Sequence, residues 1–297
     1  MHPLEPNNNV MSHIVAFVQS VWEEDEKSDG NGTECLVRIR SPVRLDAFLE
    51  TNGNVPIPPY FHRAAEESDS EAYNNVYATA GGSVAAPTAG LHFTDKVLDE
   101  IGRQDNCSYL SLHVGAGTFK PVLVEDARQH AMHAETFAVS VHEIRKIVQA
   151  LDNGKPLVVV GTTCLRTLES LYWSGVKRLR GHEIDCNDLR IEQFEWMPLL
   201  VDNRTTRVAS LKSLLQGLDD DQVVRGATSL MITPASYKIQ MADHLITNFH
   251  APDSTLMLLV SAFLGSGSKV RQVYEDAQAN GFRFLSYGDS CFFTLPK

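Results

Sequence analysis

The stretch Pro156-Leu157-Val158-Val159-Val160-Gly161-Thr162-Thr163 constrains the fold more than any other. A continuous apolar run rich in β-branched valine forms a strand buried on both faces, which is how a parallel strand covered by helices reads. Gly161 breaks it, and a helix is expected directly afterwards, over Thr163 to Tyr172. Just upstream, Val141 to Asp152 has the spacing of an amphipathic helix closed by Asn153-Gly154. Helix, buried strand, tight turn and helix in this order imply an α/β fold with a mainly parallel sheet.

The rest of the chain fits that alternation. Thr94 to Arg103 reads as a helix capped by Thr94, and Ser108 to Val114 as a strand. Ser229 to Thr233, Leu245 to Asn248 and Phe282 to Leu285 are further strand candidates, with helices at Ser254 to Phe263 and Lys269 to Asn280. The segment 202–225 is polar, carries Asp219-Asp220-Asp221, and is expected to be a surface insertion. Before the α/β region, Val10 to Trp22 and Thr33 to Ile39 read as a β-hairpin or two barrel strands, and Val43 to Glu50 as a short helix. Pro56, Pro58 and Pro59 then stiffen the chain, so the expected division is 1–57 and 58–297.

Composition excludes some function classes. The 297 residues carry 26 Lys+Arg against 37 Asp+Glu, a net charge of −11, so bulk charge does not mark a nucleic-acid binder. Any RNA contact needs a local patch, such as Arg38, Arg40 and Arg44, or Lys177, Arg178 and Arg180. An ordinary solvated face is the plainer reading of either. The five cysteines form no CxxC pair, against a disulfide framework or a structural zinc site. No apolar run reaches membrane-spanning length and the opening residues lack a signal-peptide pattern, so a reduced cytoplasmic setting is expected.

Chemistry-bearing residues gather at four places. In 81–94, small residues from Gly81 through Thr88 and Gly90 lead to His92 at a helix start, where a helix dipole would keep the imidazole neutral. Loops of this composition more often only turn the chain. In 110–122, an apolar strand bearing His113 runs into Gly115-Ala116-Gly117-Thr118, with room for a planar base or a sulfonium group. A satisfied core histidine is the alternative for His113. His130, His133 and Glu135 follow. Zinc held by His92, His113, His130 and His133 is conceivable, but no ligand spacing fixes it, and no metal is expected. The third place is the helix start at Thr162-Thr163, suited to a carboxylate or phosphate, with Arg166 and Glu169 one turn further on. A plain ion pair between those two is the bland alternative. The fourth joins Asn248 and His250 at a strand end with Tyr287 and Asp289 near the C-terminus; polar strand ends at one sheet edge are where α/β ligand sites form.

The segments GSVAAPTAGLHFT, LHVGAGTFKPV, MHAE, VGTTCLRTLES, LITNFHAPDSTL, VSAF and FRFLSYGD together resemble the S-adenosylmethionine:tRNA ribosyltransferase-isomerase family of queuosine synthesis. The resemblance implies an α/β domain paired with a small β-barrel domain. Members usually start with a longer N-terminal region containing a phrase like FNDTRVIPARL, without counterpart here, so the barrel over 1–57 is expected to be incomplete. The implied reaction moves the ribosyl part of S-adenosylmethionine, a substrate rather than a cofactor, onto 7-aminomethyl-7-deazaguanine in tRNA. Epoxyqueuosine-tRNA forms, and adenine and methionine leave. A base must take an acidic C5′ proton beside the sulfonium, a donor must serve the departing adenine, and carboxylates must tolerate developing positive charge. The candidates are His92, His113 and His133 for base and acid, and Glu135 or Glu169 for charge. Thr162, Thr163 and Arg166 are expected on the methionine carboxylate or an RNA phosphate, and Asn248, His250 and Asp289 around the base. Thr88, Gly115, Gly117, Thr118 and Tyr287 complete the expected substrate contacts. A non-catalytic relative that binds tRNA or a protein partner is the alternative.

Overall fold

The computed structural model describes residues 15–22, 34–40, 44–79, 83, 85–103, 105–115, 124, 126–234 and 236–296. The chain divides into two units, 1–55 and 56–297. In the first, strand β1 (Val15–Trp22) pairs antiparallel with β2 (Glu34–Arg40), with an irregularity between Val18 and Ser20. Helix α1 (Leu45–Asn52) follows. The described strands of this unit form a two-stranded ribbon, and no closed barrel is present among the described residues.

Among its described residues the second unit holds two sheets. One has the order β3 (Ser111–His113), β4 (Glu135–Ser140), β7 (Val223–Thr228) and β6 (Leu189–Ile191). The other has the order β5 (Val158–Val160), β8 (His244–Asn248) and β9 (Ser290–Thr294). Among the described strands β5/β8 and β6/β7 run parallel, and β3/β4, β4/β7 and β8/β9 antiparallel. The fold is mixed α/β, and the expectation of a mainly parallel sheet is corrected. Parallel neighbours need a helical crossover between them. Helix α5 (Thr162–Leu179) supplies one after β5, while α6 (Trp196–Leu200) and α7 (Arg207–Leu214) link β6 to β7.

Helix α4 (Val141–Asp152) matches its expected bounds, with Ser140 accepting from the Glu143 N–H as its cap. Helix α3 (Asp95–Glu100) starts after Thr94, which accepts from Val97, and α8 (Thr255–Leu264) after Ser254, which accepts from Met257. Helix α9 (Gly267–Ala279) packs on α8. Phe282 to Leu285 is not a strand: Leu285 takes φ +69°, which a β-ladder does not admit, and β9 begins only at Ser290.

The core gathers around α5, whose Leu165, Leu171, Tyr172, Trp173 and Val176 have no exposed surface. Each such side chain stabilises the fold by roughly 1.5–3 kcal/mol through area removed from water. The expected surface insertion over 202–225 is also corrected. Its helix α7 buries Leu211 and Leu214 on the core, and Ser213 Oγ donates to the Gly175 carbonyl of α5 at 2.8 Å. Serine reads as surface in a sequence, yet here its hydroxyl satisfies a helix carbonyl and permits close packing. No helix among the described residues is long and apolar enough to cross a membrane.

Candidate functional site

The parallel strands β5 and β8 end side by side, and the turns beyond them form the centre of the site. Gly161 closes β5 at φ +93°, a conformation that disfavours any side chain, and its N–H donates to the Ile246 carbonyl at 2.8 Å. A short 3-10 helix, Thr88–His92, lies over this turn, so that a Cβ placed on Gly161 would meet the Ala89 Cβ at 3.8 Å. The small residues before His92 serve packing: a Cβ on Gly90 would lie 1.9 Å from the Tyr77 hydroxyl and 2.6 Å from Asn75 Oδ1. Thr88, at the helix start, is half-buried.

His92 is thereby brought to Asn248, the last residue of β8. Asn248 is 2% exposed. Its Nδ2 lies 3.0 Å from His92 Nε2, 3.2 Å from the Leu285 carbonyl and 3.4 Å from the Ser286 carbonyl. Carbonyls only accept, so the amide nitrogen faces them, and His92 Nε2 accepts from the same NH2 group. His92 is therefore neutral with its proton on Nδ1. Burial holds its pKa below the usual histidine value, and the nearby Asp289 carboxylate opposes that shift. The cause of this lowering is burial rather than the expected helix dipole: His92 ends a 3-10 helix, and the next helix starts only at Asp95. Asp289 itself accepts from the Arg283 N–H at 2.7 Å. Asn248 Oδ1 is buried without a hydrogen-bond partner among the described residues.

His250 turns inward instead. Its Nε2 pairs with Thr247 Oγ1 at 2.8 Å, its N–H donates to the Tyr274 hydroxyl at 3.3 Å, and burial lowers its pKa to about 4. It supports the β8 turn as a neutral core residue. Tyr287 donates its hydroxyl to Asp69 Oδ1 at 2.8 Å, so a residue expected to contact substrate holds the chain to itself.

At the start of α5, Thr162 is buried and Thr163 half-buried, beside first-turn N–H groups that lack intrahelical partners. Burial pushes the Cys164 thiol up to about 12, so it stays protonated. Arg166 pairs with Glu135 of β4, Nη2 to Oε2 at 3.0 Å, with exposures of 4% and 3%. The bland Arg166–Glu169 pair is thus corrected. Glu169 has no exposed surface; its Oε2 accepts from the Tyr237 hydroxyl at 2.7 Å, and Oε1 from the N–H groups of Gln240 and Met241 at 2.8 and 2.7 Å. Those bonds fix the chain over 237–241 and leave Glu169 without a bond to any candidate histidine.

His113 and His133 are exposed, His113 opposite Thr136 in the β3/β4 register. The alternative reading of His113 as a satisfied core histidine is thereby set aside, because it lies on the outward face of a short edge strand. Gly115 is exposed with open space around it, and Gly117 and Thr118 lie outside the described residues. Among the described residues no three His, Cys, Asp or Glu side chains lie close enough to hold a metal ion. The Lys177, Arg178 and Arg180 patch is used internally: Lys177 pairs with Glu195, and Arg178 and Arg180 donate to the carbonyls of Leu214 and Leu199 at 3.2 and 2.7 Å. The side chains of Arg38 and Arg40 lie outside the described residues. Sequence reasoning missed Asp69 and Tyr60, which no motif surrounds, and passed over Ser286 although it lies inside FRFLSYGD between the residues singled out there; near Tyr60 the local hint is the aromatic pair Tyr60-Phe61 close to Arg63.

The family model described as queuosine biosynthesis protein matches residues 3–293. An S-adenosylmethionine:tRNA ribosyltransferase-isomerase of Azoarcus sp. is 39% identical over 247 residues, 83% of this chain and 58% of that protein. One from Francisella tularensis subsp. novicida is 37% identical over 281 residues, 93% of this chain and 70% of that protein. A solved S-adenosylmethionine tRNA ribosyltransferase of Thermotoga maritima aligns with TM-score 0.42 at 25% identity, covering 69% of this chain and 50% of that one. The chain thus spans 58% of the Azoarcus relative's length. With nearly every residue inside the family match, and the matched strand ends meeting at His92 and Asn248, this chain belongs to the queuosine biosynthesis protein family.

Proposed function

We propose that the chain transfers and isomerises the ribosyl moiety of S-adenosylmethionine onto 7-aminomethyl-7-deazaguanine in tRNA, giving epoxyqueuosine-tRNA and releasing adenine and methionine. The observation that carries this reading is the family match over residues 3–293 together with a histidine whose Nε2 accepts a hydrogen bond at the ends of two parallel strands, where α/β folds bind ligands. S-adenosylmethionine is a substrate here, tRNA the partner, and the cytoplasm the compartment. The ribbon and helix of 15–52 belong, in this reading, to the small barrel domain, and 58–297 to the catalytic domain.

His92 is the leading candidate for proton handling. Its Nε2 is occupied by Asn248, and among the described residues no group takes its Nδ1–H, so it suits a donor to departing adenine. Asp289 favours the charged form of His92 and any cationic ribosyl carbon. The buried, unpartnered Asn248 Oδ1 suits an amino group of a bound base. The first turn of α5 at Thr162 and Thr163 suits the methionine carboxylate, and the Glu135–Arg166 pair braces that turn from β4. Exposed His113 and His133 are proposed second to His92, on the RNA side. Thr88, Gly115, Gly117 and Thr118 remain proposed substrate contacts.

The test incubates the purified chain with labelled S-adenosylmethionine and tRNA carrying the deazaguanine base. Adenine release that depends on this tRNA supports the reading. Binding of the tRNA without adenine release overturns it in favour of a non-catalytic relative.

A further inference from the structure

Asp69 stands apart from the His92–Asn248 pair in sequence, yet one chain of contacts joins them. Its carboxylate is 2% exposed. Oδ2 accepts from Arg63 Nη1 at 2.7 Å and from the Glu66 N–H at 2.8 Å, while Oδ1 accepts from Arg63 Nη2 at 2.9 Å and from the Tyr287 hydroxyl at 2.8 Å. The Arg63 hydrogen bonds, with those from Glu66 and Tyr287, hold the carboxyl well below the usual carboxylate range, so it stays an acceptor for Tyr287. The Tyr287 ring packs on Phe61 with centroids 4.9 Å apart and on Tyr73 at 6.0 Å. Beside it, the Ser286 hydroxyl pairs with Tyr60. Residues from 60–73 therefore grip positions 286 and 287 from outside.

What they grip is a strained turn. Leu285 is held at φ +69°, a region that leucine rarely enters, and such a conformation persists only when its surroundings determine it. The carbonyls of Leu285 and Ser286 are the two acceptors that face Asn248 Nδ2. If the turn relaxed, the amide would lose the two acceptors that set the direction of its nitrogen and could rotate by half a turn. Oδ1 would then face His92 and accept from Nε2–H, so the orientation of this one amide selects the imidazole tautomer.

We infer that Asp69 is a positioning residue: acting through Tyr287, it fixes the Leu285 and Ser286 carbonyls, which hold the Asn248 amide in one orientation and keep the His92 proton on Nδ1. No covalent bond changes. The consequence for turnover rests on the transferase reading above, whereas the tautomer assignment does not.

The deciding variant is Tyr287→Phe in the full chain, which keeps the ring against Phe61 and Tyr73 and removes only the hydroxyl. Asp69→Asn is the companion, and if it fails to fold Tyr287→Phe still decides. Ring-nitrogen NMR shifts of His92, assigned with His92→Gln, report the tautomer. In the parent, Nδ1 carries the proton at about pH 8, where histidine is neutral. In Tyr287→Phe the Nδ1 and Nε2 shifts move toward each other, and kcat for adenine release falls about tenfold with KM within about twofold, the pattern of a lost transition-state interaction. Unchanged shifts and kcat, even with a lowered melting temperature, would make Asp69 a structural latch and overturn the inference. Shifts that move in a chain whose parent releases no adenine support the positioning role while removing the transferase reading.

Discussion

The Asn248 amide donates to His92 Nε2 across 3.0 Å while facing two backbone carbonyls with the same nitrogen. The pair therefore stabilises neutral imidazole, in addition to the burial that lowers its pKa. Asn248→Ala removes the donor to His92 and to the Ser286 carbonyl, while the Leu285 carbonyl keeps the Gly288 N–H. His92 should then titrate at higher pH than in the parent, and stability should fall by about 1–3 kcal/mol. An NMR titration of His92 together with urea unfolding checks both. A pKa that drops or stays put would contradict the donor assignment.

Gly90 lies where any Cβ would sit 1.9 Å from the Tyr77 hydroxyl. Gly90→Ala should cost about 1–3 kcal/mol as the 3-10 helix carrying His92 is pushed off its neighbours. Tyr77→Phe removes the nearer obstacle, so the double variant should regain part of that loss. Equal stabilities for Gly90→Ala with and without Tyr77→Phe would mean that Tyr77 is not the contact that matters.

The Glu135–Arg166 pair joins β4 to α5 out of contact with water. Replacing one residue removes the ion-pair partner of a buried charge, whereas replacing both removes the charges together. Arg166→Met alone should cost roughly 3–5 kcal/mol, and Arg166→Met with Glu135→Leu much less. Denaturant unfolding of the two variants compares them directly. A double variant as unstable as the single would show that polar groups other than the partner charge set the cost.

Much of this arrangement was legible where local signals agree. Asn153-Gly154 closes α4, Thr94 caps α3, and the run ending at Val160 is the strand that delivers α5, although it is an edge strand with Val158 exposed rather than one buried on both faces. Elsewhere the deciding interaction lies far along the chain. Phe282 and Phe284 alternate with Arg283 as a strand would, but both rings turn onto Phe249, and the Asp289 N–H returns to the Arg283 carbonyl at 2.8 Å. The hydroxyls of α7 look solvent-facing until α5 supplies their acceptors. His113 and His133 carry no mark of which sheet face they occupy. Asp69 finds Tyr287 across 218 positions, and nothing local announces it.

Two buried groups, Glu169 and His250, titrate in opposite senses. Burial pushes Glu169 up to about 7 from 4.5, and holds His250 at about 4 from 6.5. For Glu169 the folded protein keeps a proton that the unfolded chain has lost, so its contribution is full below pH 4.5 and is lost as the pH rises to about 7. For His250 the unfolded chain binds the proton that the folded one refuses. Its contribution is full above pH 6.5 and is lost as the pH falls toward 4. Each shift is worth roughly 3 kcal/mol, so between the two the slopes oppose and flatten the profile of the parent. Glu169→Gln removes one slope while keeping an acceptor for the Gln240 and Met241 N–H groups and a donor for the Tyr237 hydroxyl. Relative to the parent, the variant should gain roughly 3 kcal/mol between about pH 4.5 and about pH 8, read from urea unfolding at both. A difference that does not change with pH would mean that Glu169 stays ionised in the fold, its three hydrogen bonds outweighing its burial.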